Sequence, residues 1–123
     1  MDTDTRLYHN PRCSKSRAAL ELLRERGIEP HIVAYLDDPP TAAELRRLVS
    51  MTDASVHDLV RTGEAEYSAL KLGPASPDDE LIAGMAQHPR LIERPIFVHA
   101  GRAVVGRPPE RVLDLLADEA SPG

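Results

Sequence analysis

The feature that most constrains the fold lies in the first 35 residues, where the patterns of a strand, a loop, a helix and a second strand follow one another. Residues 6–8 predict a short strand, and the helical pattern of residues 18–26 stops at Gly27. Residues 28–35 are centred on β-branched side chains and predict the next strand. Because a helical crossover joins two parallel strands, the chain begins with a βαβ unit and falls in the α/β class.

The last third of the chain predicts the opposite order, two strands and then a helix. Residues 95–99 and 103–105 read as a hairpin that turns at Gly101, and Pro108 and Pro109 open a final helix. The carboxyl-terminal part of the chain is therefore predicted to be a ββα unit.

The middle of the chain is predicted to be helical. Thr41 and Glu44 form a capping box, which starts a helix that reaches about Met51. Ser76 is expected to be the N-cap of a further helix, with Pro77 at its first position. The order βαβ, helices, ββα suits a thioredoxin-like sheet that carries a helical insertion between its two halves.

Length and the absence of a linker or repeat indicate one domain. The 123 residues are expected to form a single domain over 1–123, with a core over 5–117 and a flexible tail over 118–123. Hydrophobic residues make up 41% and charged residues 28%, as in ordinary globular chains.

Charge and hydropathy exclude two classes of partner. The net charge of -5 and an aromatic content of 3% argue against binding to nucleic acid, which needs a basic surface. No apolar run approaches the length of a membrane span, and the polar, acidic start 1–5 does not resemble a secretory signal. We therefore expect a cytoplasmic protein that binds neither nucleic acid nor membrane.

The chain has one cysteine, Cys13, which cannot form an intramolecular disulfide. Its neighbours Arg12, Ser14, Lys15 and Ser16 are all polar, which favours a reactive thiol over a buried inert one. A metal site is not expected, because no second cysteine exists and the histidines are scattered.

Positive charge is concentrated around this cysteine. No acidic residue lies between Thr5 and Leu20, whereas this stretch carries four cations: Arg6, Arg12, Lys15 and Arg17. Cations are disfavoured at a helix N-terminus, so an anion is expected to compensate them. A Cys13 thiolate and an oxyanion held by free helix amides both fit, and the Ser16 hydroxyl is expected to donate to the sulfur.

Two arginines stand before prolines, Arg94 before Pro95 and Arg107 before Pro108. Neither placement stabilises its local element. The residues alone do not distinguish Arg61, Arg94 or Arg107 from the other arginines of the chain.

Six short segments stand out along the chain: residues 8–17, Tyr35-Leu36, Pro39-Pro40-Thr41, His88-Pro89, residues 93–96 and residues 106–108. Together, over about residues 6–116 and in this order, they resemble the glutaredoxin-coupled arsenate reductase family. Ser14-Lys15 stands where many members carry Gly-Thr, so this Arg-Cys-Ser-Lys-Ser version resembles a subgroup of housekeeping relatives.

The resemblance implies a thioredoxin-like fold with a helical insertion, and it implies roles for individual residues. Cys13 is the expected nucleophile, and His9 and Ser16 are expected to orient and stabilise its thiolate. The expected ligands of the oxyanion are Arg61, Arg94, Arg107 and Arg17.

The activity implied by the resemblance is arsenate reduction. The thiolate attacks arsenate to give a thiol-arsenate adduct, which glutathione and glutaredoxin reduce to arsenite. Because a single cysteine cannot resolve its own adduct, an external thiol must act; glutathione is expected as a co-substrate, with no bound cofactor. A monomer is expected.

Two other functions remain open at this point. A related redox regulator that binds RNA polymerase uses a Cys-x-x-Cys switch, but the second position here is Ser16. A monothiol enzyme that transfers glutathione would use Cys-x-x-Ser, although it leaves the arginines without a role.

Overall fold

Four short strands form one sheet in the computed structural model, which describes residues 5–116. The strands are β1 (Thr5–Tyr8), β2 (His31–Val33), β3 (Ile96–His99) and β4 (Arg102–Val105), in the spatial order β2-β1-β3-β4. The pair β1 and β2 is parallel, whereas β3 runs antiparallel to both β1 and β4. The predicted βαβ unit and hairpin are therefore joined through β1 and β3.

Helix α1 (Ser14–Glu25) connects β1 to β2 and starts four residues before the predicted position. Residues 14–17 are polar and carry no apolar periodicity, so the helical pattern begins only at residue 18, although the anion-site argument already assumes a helix entry near Cys13. The predicted end is confirmed, because Gly27 has φ 77 and its N–H donates to the carbonyl of Arg24.

The main core of the sheet lies between its strands, α1 and a 3₁₀ helix over Pro109–Leu116. In a 3₁₀ helix residues three apart share a face, which directs both Val112 and Leu115 inward. Each fully buried aliphatic side chain contributes about 1.5–3 kcal/mol. The buried members are Leu7, Ala19, Leu23, Phe97, Val104, Val112, Leu115 and Leu116.

The hairpin turns where the sequence predicts it. Ala100 and Gly101 have φ 52 and 81, the two positive values of a type I′ turn. This turn matches the right-handed twist of the strands, and β4 begins directly after it.

Residues 35–93 form the predicted helical insertion. Its helices are α2 (Ala42–Ser50), α3 (Ala65–Ala69) and α4 (Asp78–Gln87), with 3₁₀ turns at His57–Leu59 and Pro89–Leu91. Helix α3 and the second 3₁₀ turn are too short to give a periodic pattern in the sequence.

The two predicted helix starts in the insertion differ in outcome. The Thr41 hydroxyl accepts a hydrogen bond from the Glu44 N–H at 3.1 Å, as the capping box predicts. Ser76 is not the N-cap of α4, because Pro77 holds that position and the Ser76 hydroxyl accepts the N–H of Gly73 at 2.8 Å. A hydroxyl used in the preceding turn is not available to cap the helix.

Contacts divide the chain into two compact units, residues 1–34 with 94–123 and residues 35–93. The prediction of a single domain stays a prediction, and the proposed tail over 118–123 lies outside the described residues.

Within residues 5–116 no helix is long and apolar enough to span a bilayer.

Candidate active site

The loop between β1 and α1 is organised by Asn10. Its carbonyl accepts the N–H of Cys13 at 3.0 Å, which closes a β-turn with Pro11 at the second position. Its side-chain Oδ1 accepts the N–H of Arg12, also at 3.0 Å. Sequence reasoning missed this role, although the Asn-Pro dipeptide is itself a turn signal.

Cys13 is the N-cap residue of α1, with extended φ and ψ of -94 and 122. Its half-buried sulfur faces the backbone N–H groups of Ser16 and Lys15 and the Arg94 side chain, without closing a capping hydrogen bond to the helix. Burial acts to raise the pKa of the thiol, but these donors and the charge of Arg94 outweigh it, so that the pKa lies below its ordinary value. Cys13 is therefore placed to react as a thiolate.

The Ser16 hydroxyl does not bond to the sulfur as the sequence suggested. Ser16 is fully buried, and its Oγ lies 2.7 Å from His9 Nδ1 and accepts the N–H of Asn10 at 3.0 Å. The backbone turns the amide of Ser16 toward the sulfur and its side chain toward β1. Ser16 thus acts on Cys13 through its main chain, a distinction that the residue type alone does not make.

His9 is held neutral in this environment. Burial lowers its pKa, and the positive charges of Arg24 and Arg17 lower it further. The backbone N–H of His9 donates to the Val33 carbonyl at 3.0 Å, which anchors the start of the loop to β2. A neutral imidazole donates a hydrogen bond from one ring nitrogen and accepts one at the other, so His9 Nδ1 can pair with the Ser16 hydroxyl in either tautomer.

Arg94 and Arg107 lie together in the unit that holds Cys13. Arg107 Nη1 donates to the main-chain carbonyl of Arg94 at 3.3 Å. The Nε of Arg94 is buried without a hydrogen-bond partner among residues 5–116. The Arg94 guanidinium therefore keeps donor capacity for an acceptor beyond the sulfur.

Arg17 lies on the outside of the loop. Its side chain is exposed, and Nη1 donates to the Pro11 carbonyl at 2.9 Å. The guanidinium thus braces the turn that precedes Cys13.

Arg61 belongs to the other compact unit, where acidic side chains neutralise it. Its Nε lies 3.3 Å from Glu64 Oε2, and its Nη1 lies 3.8 Å from Glu93 Oε1. Glu64 also pairs with Arg90 at 3.0 Å. Sequence reasoning missed these partners, because Arg61 and Glu64 lie on either side of a turn and an i,i+3 spacing indicates an ion pair only on a helix.

Six of the seven predicted site residues thus share one compact unit, and one does not. The six are His9, Cys13, Ser16, Arg17, Arg94 and Arg107, and the seventh is Arg61. Among residues 5–116 no group of three or more His, Cys, Asp or Glu side chains could hold a metal ion.

A mixed sheet with the order β2-β1-β3-β4 and a cysteine at the N-terminus of the first helix defines a thioredoxin-like protein with an activated thiol. Comparison with known proteins agrees with this class. The solved structure titled "Arsenate reductase from Vibrio cholerae" superposes with a TM-score of 0.87 at 45% identity, covering 94% of this chain and 100% of that one.

The model of the ArsC family matches residues 8–115, and the chain belongs to this family. It is 47% identical over 118 residues to "Uncharacterized protein YfgD" of Escherichia coli K12, which covers 94% of this chain and 99% of that protein. It is 45% identical over 115 residues to a protein of Neisseria meningitidis serogroup A named "Arsenate reductase", covering 92% and 98%.

Proposed function

We propose that the protein is an arsenate reductase in which the Cys13 thiolate attacks the arsenic atom. The observation that carries the proposal is the position of the sulfur, which faces two helix amides and the Arg94 side chain, so that the pKa of the thiol is lowered. A thiolate is the nucleophilic form of cysteine, so this environment raises the fraction that can react near neutral pH. The names of the Neisseria and Vibrio relatives support the same activity.

In this proposal arginines bind the oxyanion. Arsenate is a dianion near neutral pH, and guanidinium groups bind tetrahedral oxyanions through two parallel hydrogen bonds. The buried, unpartnered Nε of Arg94 supports a role for Arg94, and Arg107 adjoins it. Arg17 and Arg61 complete the proposed set; Arg61 would have to share its guanidinium between arsenate and its two carboxylate partners.

His9 and Ser16 are proposed to maintain the loop that presents the thiolate. Their buried contact fixes the end of β1 against the first turn of α1, where the amides that face the sulfur lie. The neutral His9 also avoids adding a competing cation inside the site.

The reduction needs two thiols. Cys13 displaces one oxygen of arsenate, which leaves as water after protonation, and a sulfur–arsenic bond forms. The sulfur of glutathione then forms a disulfide with Cys13 while the sulfur–arsenic bond breaks; the two sulfurs supply two electrons and As(V) becomes As(III). Glutaredoxin would take the glutathione from Cys13 by thiol–disulfide exchange, and the protein would need no bound cofactor.

The lone thiol fits a reducing compartment, which supports the cytoplasm as the location. No other cysteine is available to form a protective disulfide.

The first test is the rate of Cys13 alkylation by iodoacetamide as a function of pH, with and without arsenate. We expect a thiol pKa below about 8.5 and slower alkylation in the presence of arsenate. Arg94→Gln and Arg107→Gln should lose this protection. Arg46→Gln is the matched control, because Arg46 is exposed and pairs with Asp79 in the insertion.

The second test is arsenite production with glutathione and a glutaredoxin. Wild type should turn over, and Cys13→Ser should not. Turnover by Cys13→Ser would exclude the mechanism. A low thiol pKa without protection by arsenate would instead favour glutathione transfer, and capture of RNA polymerase without turnover would favour the regulator.

A further inference from the structure

An exposed group of cations surrounds the entrance to α1, and we name it the cationic rim. It consists of Arg12, Lys15 and Arg17, whose side chains are all exposed. No acidic residue lies in the first turn of α1, and the next along the chain is Glu21. The rim therefore carries three positive charges in a protein whose total is -5.

The rim is not neutralised by the protein. Within residues 5–116, none of its three members forms an ion pair with a carboxylate. Other exposed arginines do, since Arg24 pairs with Glu29 at 3.0 Å and Arg46 with Asp79 at 3.1 Å. Among the described residues, the rim's side chains make one polar contact, from Arg17 to the Pro11 carbonyl, and it leaves a full positive charge.

The rim flanks the half-buried sulfur along the chain. Arg12 directly precedes Cys13, and Lys15 follows it by two residues, with its backbone N–H beside the sulfur. The exposed charges of Arg12 and Lys15 are therefore carried by the residues that border the reactive thiol.

We propose that the cationic rim is the docking surface for the thiol that reduces Cys13, and that this thiol is recognised by its carboxylates. This inference rests on the proposed function, which requires an external thiol reductant. A small thiol with two carboxylates, such as glutathione, has the complementary charge. Arg12 and Lys15 are then determinants of reductant specificity, whereas Arg17, the third member of the rim, also belongs to the set proposed to bind arsenate.

The expected effect is mainly on the rate of encounter. Clustered charges at a site attract an oppositely charged reactant and raise its association rate, and salt screens the attraction. The Debye length falls from about 30 Å at 0.01 M salt to about 3 Å at 1 M. We expect an advantage of about fivefold for the anionic thiol at low salt, which disappears at high salt.

The test measures thiol exchange at Cys13 with no arsenate present. Cys13 is first converted with 2,2′-dithiodipyridine to its pyridyl disulfide, a label without charge. The glutathione thiolate attacks the Cys13 sulfur, a new disulfide forms, and pyridine-2-thiolate leaves with the electron pair and is protonated to the thione. The absorbance of the thione gives the second-order rate constant.

The comparison is between glutathione and its diethyl ester, which has the same thiol but no free carboxylate. Each rate constant is divided by the fraction of the reductant that is thiolate, so that a difference in thiol pKa between glutathione and its diester does not affect the comparison. The ratio of the two also cancels any effect of a substitution on the intrinsic reactivity of Cys13.

Wild type should prefer glutathione over its diester by about fivefold at low salt. Arg12→Gln and Lys15→Gln should each reduce this ratio, and the double variant should bring it close to one. Arg26→Gln is the matched control: Arg26 is exposed at the far end of α1, and its substitution removes the same charge. It should retain the wild-type ratio.

A ratio near one in wild type, a ratio insensitive to salt, or an equal fall in Arg26→Gln would overturn the proposal. Because the assay contains no arsenate, its outcome is separate from that of the proposed function. A charge-dependent ratio in a protein that does not reduce arsenate would support the docking surface and reject the activity.

Discussion

His9 Nδ1 lies 2.7 Å from Ser16 Oγ, and both side chains are buried. The contact joins the residue directly after β1 to the first turn of α1, across the loop that carries Cys13. The same hydroxyl accepts the N–H of Asn10 at 3.0 Å. One oxygen therefore satisfies two polar groups that would otherwise be buried without partners, and the geometry of the loop depends on it.

Replacing Ser16 should destabilise the protein. Ser16→Ala removes the hydroxyl that pairs with His9 Nδ1 and accepts the Asn10 N–H. We expect the free energy of unfolding to fall by about 1–3 kcal/mol. The measurement is unfolding in urea. Ser14→Ala is the control, since Ser14 is exposed in the same turn and should change stability by less than about 0.5 kcal/mol. Equal stability of the two variants would show that the buried contact contributes little.

Replacing Arg94 should raise the pKa of Cys13. Arg94→Gln removes the guanidinium charge and weakens the side-chain hydrogen bond to the sulfur, both of which favour the thiolate. The ultraviolet absorbance of the thiolate, followed against pH, measures the change. Arg111→Gln is the control and should leave the titration unchanged, because Arg111 is exposed and its Nε lies 3.9 Å from Asp114 Oδ2. An unchanged pKa in Arg94→Gln would mean that the helix amides alone stabilise the thiolate.

His9 should make stability depend on pH below neutrality. Its pKa is lowered in the folded protein, chiefly by burial, so the unfolded chain binds more protons between the folded value and about 6.5. The stabilisation by neutral His9 is fully present above about 6.5 and is lost as pH falls through the folded pKa. We expect wild type to lose stability more steeply than His9→Gln in this window. Denaturant unfolding at a series of pH values tests this, and parallel curves would contradict it.

Gly106 should not tolerate a side chain. A Cβ there would lie 2.9 Å from Pro95 Cγ and 2.9 Å from Val112 Cγ1, closer than packed carbon atoms allow. Gly106→Ala should therefore lower the free energy of unfolding by about 1–3 kcal/mol. Gly63→Ala is the control, because nothing lies within 4 Å of its added Cβ. Similar midpoints for the two variants in urea would rule out this steric explanation.

Local patterns were sufficient to predict several elements. The positive φ of Gly27 and Gly101 ends α1 and turns the hairpin as predicted, because glycine adopts this conformation without a steric penalty. The capping contact at Thr41 also forms within four residues of sequence. Signals of this kind depend only on neighbouring residues, so they can be read from the chain.

The two wrong predictions concern serine hydroxyls for which more than one partner competes. Ser76 is followed by a proline and an acidic turn, as at many helix starts, yet its hydroxyl is used by Gly73. The sequence predicts a hydrogen bond from the Ser16 hydroxyl to the sulfur, but His9, directly after β1, lies against that hydroxyl. In both cases a competing partner decided the contact, and residue type alone does not rank competing partners.

The sequence by itself determined the α/β order, the reactive setting of Cys13 and the concentration of cations around it. Only the tertiary structure decided which cation contacts the sulfur. Strand β3 pairs with β1, and Arg94, shortly before β3, thereby reaches a cysteine far away in the chain. Arg61 pairs instead with two carboxylates of its own unit. The approach of Arg94 to Cys13 arises from the packing of segments far apart in the chain, and such packing leaves no periodicity or spacing by which the sequence could predict it.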